Sequence, residues 1–256
     1  MLRQYEAGEI INAAERVGAK AFEDPLYGAS IPVISREELV LTCDPIESMK
    51  YIISRPTGQL EFMLVHIASL LGAAGVGIGA LGVTGTLAMG VHVEGISDID
   101  LVVYGPRASL EVYEAFASIG EEPPGARRGI VNGVKVHPPL SLAWRRRVVD
   151  GTHVSWTGAP EAAASHCAPL REWRRLEPPR GRARLALRVP GGQVGALLYP
   201  PCVESEEGVH IVSFEYNLGA LLYEGGLMEV EGLASEEAIL LGTREYPGSL
   251  RLLGGR

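Results

Sequence analysis

Two aspartates separated by one apolar residue, Asp98 and Asp100, open the run SDIDLVVYG (97–105). Because side chains alternate along a strand, the two carboxylates are expected on one face, with Ile99 on the other. Two carboxylates on the same face, separated by one residue, repel each other unless a cation neutralises them. Carboxylate oxygens suit Mg²⁺ or Mn²⁺, with water and phosphate oxygens completing the coordination. The spacing therefore predicts a divalent-metal site at the start of this strand.

A Gly-Thr pair, Gly85 and Thr86, precedes the aspartates by eleven residues and stands between a predicted strand and a short helix or turn. A glycine turn ahead of a helix start offers backbone N–H groups to a phosphate, and Thr86 adds a hydroxyl. Ser97 is expected to cap the turn beside this phosphate site, and it is not read as a nucleophile because no histidine–acid relay accompanies it. Metal and phosphate sites are thus predicted side by side, as a nucleoside triphosphate requires.

This pattern resembles the DNA-polymerase-β nucleotidyltransferase superfamily: Gly85-Thr86, eleven residues, then Asp98-Ile99-Asp100 entering an apolar strand. The longer string LGVTGTL…SDIDLVVYG, with LLYPPCVE and VHIVSFEY further on, resembles an archaeal group of predicted nucleotidyltransferases. The resemblance implies that Gly85 and Thr86 hold the β- and γ-phosphates, and that Asp98 and Asp100 ligate two metal ions. It further implies transfer of a nucleotidyl group to a hydroxyl of an RNA, a protein or a small molecule.

The chain departs from that superfamily in two respects. Thr86 replaces the usual glycine or serine, which keeps the hydroxyl and adds a methyl group. The superfamily usually carries a third carboxylate on a later strand, and the segments GVKVHP and THVSWTG contain none. Asp150 stands before a glycine, as a turn residue does. A non-catalytic nucleotide- or RNA-binding protein on the same fold is therefore the alternative function.

Other interpretations of the same segment exist. Gly77, Gly79 and Gly82 match the G-x-G-x-x-G pattern of dinucleotide-binding folds. That pattern should follow a strand, whereas a predicted helix and further glycines precede it here, so glycine packing is favoured. Taken alone, Asp98 would be interpreted as a loop or cap residue at a strand entry. The preceding Gly-Thr pair favours metal binding instead.

Positive charge is concentrated in the middle of an acidic chain. The segment 127–188 holds twelve arginines and one lysine against four acidic residues, while the whole chain has a net charge of −8. This segment suits a local anionic partner, either a triphosphate or an RNA or protein acceptor, although solvated helix faces would explain any single arginine. Trp144, Trp156 and Trp173 lie in the same segment; they are suited to base stacking, but packing is the favoured interpretation.

The predicted fold class is α/β (α+β): a nucleotidyltransferase-like mixed sheet with helices, followed by an all-β, barrel-like C-terminal domain. Three regions are expected: an N-terminal α/β extension (1–56), a nucleotidyltransferase-like core (57–176) and the all-β domain (181–256). The core is predicted to contain a buried helix over 57–72, strands over 78–85, 98–104, 129–138 and 152–158, and helices over 108–119, 142–149 and 170–176, with a linker at 177–182.

Cysteine usage and hydropathy give expectations about the compartment. Cys43, Cys167 and Cys202 are far apart, odd in number and without a C-x-x-C pair. This argues against a disulfide framework and a cysteine-ligated zinc, and it favours a reducing cytoplasm. No export signal is recognised at the N-terminus. The stretch 62–93 lacks charged residues, but its seven glycines favour a core helix and a strand over a membrane span. The sequence leaves the oligomeric state open.

Overall fold

Helices and three β-sheets make up the chain in a computed structural model, which describes residues 14, 16–24, 29–161, 166–171, 181–243 and 245–254. The helices are α1 (Pro45–Ser54), α2 (Gln59–Ala73), α3 (Gly85–Ala88), α4 (Pro106–Phe116), α5 (Ala168–Arg171) and α6 (Gly219–Glu224). The strands are β1 (Lys20–Asp24), β2 (Ala29–Val33), β3 (Leu81–Thr84), β4 (Ile99–Tyr104), β5 (Arg127–Val131), β6 (Val134–Ser141), β7 (Arg146–Val149), β8 (Thr152–Ala159), β9 (Gly181–Val189), β10 (Cys202–Glu204), β11 (His210–Ser213), β12 (Gly226–Ala234), β13 (Ala238–Leu241) and β14 (Ser249–Gly254).

A four-stranded mixed sheet with the order β3-β4-β8-β7 contains Asp100 in β4, and Asp98 lies directly before that strand. Strand β4 pairs antiparallel with β3 and parallel with β8, and β7 pairs antiparallel with β8. The apolar residues Ile99, Leu101 and Val103 are fully buried on one face, where they join a hydrophobic core with α2 and α4. Asp100 lies on the other, less buried face, as the alternation of the sequence predicts.

Two helices precede this sheet, and α2 begins two residues later and ends one residue later than the helix predicted over 57–72. The side chain of Asp44 caps α1 by accepting hydrogen bonds from the backbone N–H groups of residues 46 and 47, at 2.9 and 3.0 Å. Helix α2 buries Leu64, Ile67 and Leu71 completely, but Phe62 is 57% exposed, so the helix predicted as buried is exposed on one side. The uncharged stretch continues into β3 and α3. None of the helices in the described ranges is long and apolar enough to cross a membrane.

The second large sheet has eight strands in the order β10-β11-β13-β12-β14-β6-β5, with β9 also paired to β12. The described strands do not close into a barrel, so that part of the prediction for the C-terminal region is wrong. Helix α6 and two 3-10 turns also lie in this region, which is therefore not purely β. The hairpin of β5 and β6 enters the sheet through the parallel pairing of β6 with β14.

Two predicted elements before β8 are wrong, and both errors concern hairpin turns. The single strand predicted over 129–138 is a hairpin, with positive φ angles at Asn132 and Gly133. The helix predicted over 142–149 is a turn followed by β7, and Asp150-Gly151 makes a second hairpin turn with positive φ at both residues. Asn-Gly and Asp-Gly pairs favour two-residue hairpin turns, which is the signal that the helical interpretation overlooked.

The segment after β8 departs from the prediction at its beginning and end. Of the helix predicted over 170–176, the first two residues belong to α5, and the rest lies outside the described residues. The linker predicted over 177–182 also lies outside them, except that Gly181 and Arg182 already belong to β9.

The expectation of no disulfide is wrong. Cys167, directly before α5, is bonded to Cys202 at the start of β10, with the two Cα atoms 6.2 Å apart. Thirty-five positions separate the two cysteines, so their pairing depends on the fold and is not visible as a local spacing. The inference of a reducing cytoplasm, which rested on the cysteine spacing, loses this support. Cys43 is exposed and is not part of a disulfide.

Candidate functional site

Asp98 and Asp100 lie together at the entry to β4. Asp98 directly precedes the strand, and Asp100 is its second residue. Both aspartates line one cavity of about 270 Å³. Ile99, between them, is fully buried in the core behind the sheet. The strand alternation predicted from the sequence therefore brings the two carboxylates to one cavity.

Gly85 brings the end of β3 against the second aspartate. Thr84 is paired with Asp100 across the antiparallel strands, and Gly85 follows with a φ of +70°. This is a conformation that residues with a Cβ rarely adopt. A Cβ at Gly85 would lie 3.2 Å from Oδ2 of Asp100, which is tighter than an ordinary contact. Glycine is thus required both by the turn and by the nearby carboxylate.

Thr86 and Ser97 fix the two ends of the loop that connects α3 to β4. The Thr86 hydroxyl donates to Oγ of Ser97 at 3.1 Å, and the same Oγ accepts from the backbone N–H of Val93 at 2.9 Å. Both sequence-predicted residues therefore lie beside the Gly85 turn. The Thr86 hydroxyl is engaged within this loop, so the turn next to Asp100 offers a phosphate chiefly its backbone.

Ser155 occupies the position beside Asp100 on the neighbouring parallel strand. The two residues are paired in register, and Oγ of Ser155 donates to Oδ1 of Asp100 at 2.6 Å. Sequence reasoning missed this residue because it sought an acid on THVSWTG and disregarded the neutral side chains. Within the described residues, no group of three or more His, Cys, Asp or Glu side chains is arranged to hold a metal. Asp150 lies elsewhere, in the β7–β8 turn beside a separate cavity that includes His66.

The pKa of Asp98 is raised above its ordinary value. Loss of solvent around its carboxyl group is the largest cause, although the residue as a whole is exposed, and the negative charge of Asp100 raises the pKa further. A backbone hydrogen bond acts in the opposite direction, as do the nearby His153 and Arg146. A divalent ion beside two adjacent carboxylates, one of them partly desolvated, would stabilise their charged forms.

Basic residues line the same cavity as the aspartates. Arg128 comes from β5, Arg146 from β7 and His153 from β8. Sequence reasoning identified the arginine-rich segment but not which of its members lie here. Arg145, in contrast, is buried and donates to the Trp156 carbonyl oxygen at 3.2 Å, so consecutive arginines have different environments.

The tryptophans of this segment are packing residues where the structure describes them. Trp144 and Trp156 are buried with their ring centroids 5.3 Å apart, and each indole N–H donates to a backbone carbonyl oxygen. Neither offers a ring face for a base. Trp173 lies outside the described residues.

The glycines of the G-x-G-x-x-G pattern are not in a dinucleotide-binding context. Gly77 lies directly before a 3-10 turn that follows helix α2, Gly79 lies in that turn, and Gly82 lies within β3. A dinucleotide fingerprint requires the order strand, turn, helix, whereas the order here is helix, turn, strand.

Comparisons of the chain with models of known protein families, with curated proteins and with solved structures gave no match. The geometry of the site therefore carries the functional argument.

Proposed function

We propose that the protein is a metal-dependent nucleotidyltransferase, which transfers a nucleoside monophosphate group from a nucleoside triphosphate to an acceptor hydroxyl. The β3-β4-β8-β7 sheet would be its nucleotidyltransferase-like unit. The proposal unites the sequence resemblance with one observation on the folded chain, a row of residues that crosses the sheet in register.

That row consists of Thr84, Asp100 and Ser155 on β3, β4 and β8. The Gly85 turn follows Thr84 directly. A turn that approaches a carboxylate closely, next to a second carboxylate, supports a shared site for a metal ion and the phosphates of a nucleotide. The sequence motif alone could not supply this arrangement across three strands.

The residues present fit a divalent cation. Asp98 and Asp100 supply hard carboxylate oxygens to one cavity, where loss of solvent and, after it, the charge of Asp100 raise the pKa of Asp98. Two carboxylates are fewer ligands than a closed protein cage requires, so water and phosphate oxygens would complete the coordination, as is usual for Mg²⁺. When bound, the ion would make an attacking hydroxyl more acidic and offset the negative charge of the departing pyrophosphate.

The chain's own residues would bind and orient the reactants. The Gly85 turn would present its backbone to the phosphates without a side chain between them and Asp100. Ser155 would hold the Asp100 carboxylate in one orientation through its 2.6 Å hydrogen bond. Neither residue would exchange a proton with the substrate.

A specific observation also favours the second candidate, a non-catalytic nucleotide- or RNA-binding protein. The position beside Asp100 on β8 is a neutral serine, whereas the resemblance leads one to expect, on a later strand, a third carboxylate that helps to activate the nucleophile. Without it, nucleotide binding would persist while transfer became slow.

The test is isothermal titration of ATP, CTP, GTP and UTP, each with Mg²⁺ or Mn²⁺, into the wild type and an Asp98→Asn/Asp100→Asn variant. The matched control is Asp150→Asn/Glu37→Gln, which removes two carboxylates away from the cavity. We expect metal-dependent binding of a triphosphate to the wild type and the control, and its loss in the site variant.

Absence of metal-dependent binding in all three proteins would overturn the proposal. Binding without release of pyrophosphate, when RNA is offered as acceptor, would favour the non-catalytic alternative. Release of pyrophosphate that requires both aspartates would favour the enzyme.

A further inference from the structure

The cavity beside the aspartates lies on one side of them. Asp98, Asp100 and Ser155 line it together with the loop before β5, whereas the Gly85–Thr86 turn does not. In the sheet, that turn follows β3 and so flanks β4 on the side away from β8 and β7. The acid pair therefore separates the turn proposed for the donor's phosphates from the cavity.

Two arginines in the lining of this cavity have exposed side chains. Arg128 and Arg146 are exposed, and neither forms a salt bridge or a side-chain hydrogen bond with any residue in the described ranges. Guanidinium groups bind phosphate through paired hydrogen bonds. The salt bridges that arginines do form in those ranges involve Arg107, Arg184 and Arg188.

The backbone joins both arginines to one wall. Leu142 donates its N–H to the carbonyl oxygen of Ala126 at 2.9 Å, and Arg146 donates its N–H to the carbonyl oxygen of Leu142 at 3.0 Å. A Cβ at Gly125 would lie 3.8 Å from Nη2 of Arg128, so this guanidinium lies against the loop of the same wall. Backbone contacts therefore set the positions from which the two arginine side chains extend.

We propose that this cavity binds the acceptor, and that the acceptor carries a phosphate group close to its reacting hydroxyl, held by Arg128 and Arg146. This inference rests on the proposed nucleotidyl transfer and adds the chemical class of the acceptor. The cavity lining carries charges of both signs, which orients such a molecule: the arginines attract its phosphate, and the aspartates repel it. The hydroxyl is then left on the side of Asp98 and Asp100.

The size of the cavity agrees with a small phosphate-bearing unit. Its volume of about 270 Å³ is below the ~300–1,000 Å³ of clefts that enclose drug-sized ligands. One sugar with its phosphate fits this space better than a second complete nucleotide with its base.

The transfer step balances with the reactants already named. A bond forms between the acceptor oxygen and the α-phosphorus of the triphosphate, while the bond from that phosphorus to the bridging oxygen breaks. Pyrophosphate leaves with the electron pair, and the hydroxyl proton passes to solvent. The roles of Arg128 and Arg146 are to bind and orient the acceptor.

The experiment compares wild type, Arg128→Gln/Arg146→Gln and a matched control, Arg36→Gln/Arg107→Gln, which removes two exposed charges away from the cavity. Glycerol 3-phosphate and an RNA hexanucleotide are titrated into each protein without nucleotide or metal. A triphosphate with Mn²⁺ is titrated separately. We expect the site variant to lose about tenfold or more in affinity for the phosphate probes while its affinity for the triphosphate stays within about twofold of the wild type.

Three results would overturn the proposal: no binding of either probe to the wild type, equal affinity of the site variant, or an equal loss in the control. A parallel loss of triphosphate affinity in the site variant would also overturn it, since the arginines would then serve the donor. Because the phosphate probes are measured without nucleotide or metal, failure of triphosphate binding in the wild type would be recognised as failure of the proposed function instead.

The two probes distinguish the sources of the phosphate. RNA binding that is tighter than glycerol 3-phosphate binding, and that weakens steeply with salt, supports a polynucleotide acceptor. Equal affinity for both probes supports a small sugar phosphate.

Discussion

Replacement of Gly85 by alanine tests the coupling between the turn after β3 and the Asp100 carboxylate. A residue with a Cβ at a φ of +70° costs about 1–2 kcal/mol. In a chain of this length, each kcal/mol lowers the melting temperature by roughly 2–4 °C, so we expect a decrease of about 2–8 °C. This part of the effect concerns the backbone alone.

A second effect concerns the site. The new Cβ would lie 3.2 Å from Oδ2 of Asp100, so the carboxylate must move by a few tenths of an ångström, against its hydrogen bond to Ser155. Since a displacement of about 1 Å can cost a hundredfold in function, we expect a loss of roughly three- to tenfold in metal-dependent triphosphate affinity.

The matched control is Gly208→Ala. Gly208 has a φ of +77° and no atom within 4 Å of its Cβ position, in the turn between β10 and β11. Both variants should therefore lose similar stability in thermal unfolding, but only Gly85→Ala should lose affinity in titration calorimetry. Equal triphosphate affinity of the two variants would refute the coupling, whatever their melting temperatures.

Three further predictions concern the site and its support. Ser155→Asp adds a carboxylate beside Asp100. A carboxylate and a dication about 4 Å apart attract each other by about 2 kcal/mol in water, so we expect Mn²⁺ affinity in calorimetry to rise roughly tenfold or more, and no gain would count against a metal there. Arg145→Met leaves two buried acceptors without their donor, at about 1–3 kcal/mol each, and should lower the melting temperature by roughly 4–24 °C; an unchanged value would contradict the buried contacts. The Cys167–Cys202 disulfide closes a loop of 35 residues and so contributes about 3–4 kcal/mol to the free energy of unfolding. A reductant should therefore lower the melting temperature markedly, and no change would show that the bond contributes little.

The local elements of the site could be predicted because their signals are local. The alternation of Asp98, Ile99 and Asp100 is sufficient to assign the two faces at the start of β4. The helical interpretation of 142–149 was wrong because intrinsic propensity is a weak signal. Pairing of β7 with β8 and the Asp150-Gly151 turn outweigh it.

The sequence by itself determined the chemical character of the candidate site: two carboxylates on one strand face and a glycine turn ahead of them. Only the tertiary structure decided what stands beside them. Ser155 is 55 positions from Asp100 and meets it through parallel pairing of two strands, whose register is set by the packing of the whole sheet. The positions of Arg128 and Arg146 on one wall depend on contacts between separate hairpins, as the disulfide depends on contacts across the chain. Such contacts join residues that are distant in sequence, and no local pattern specifies them.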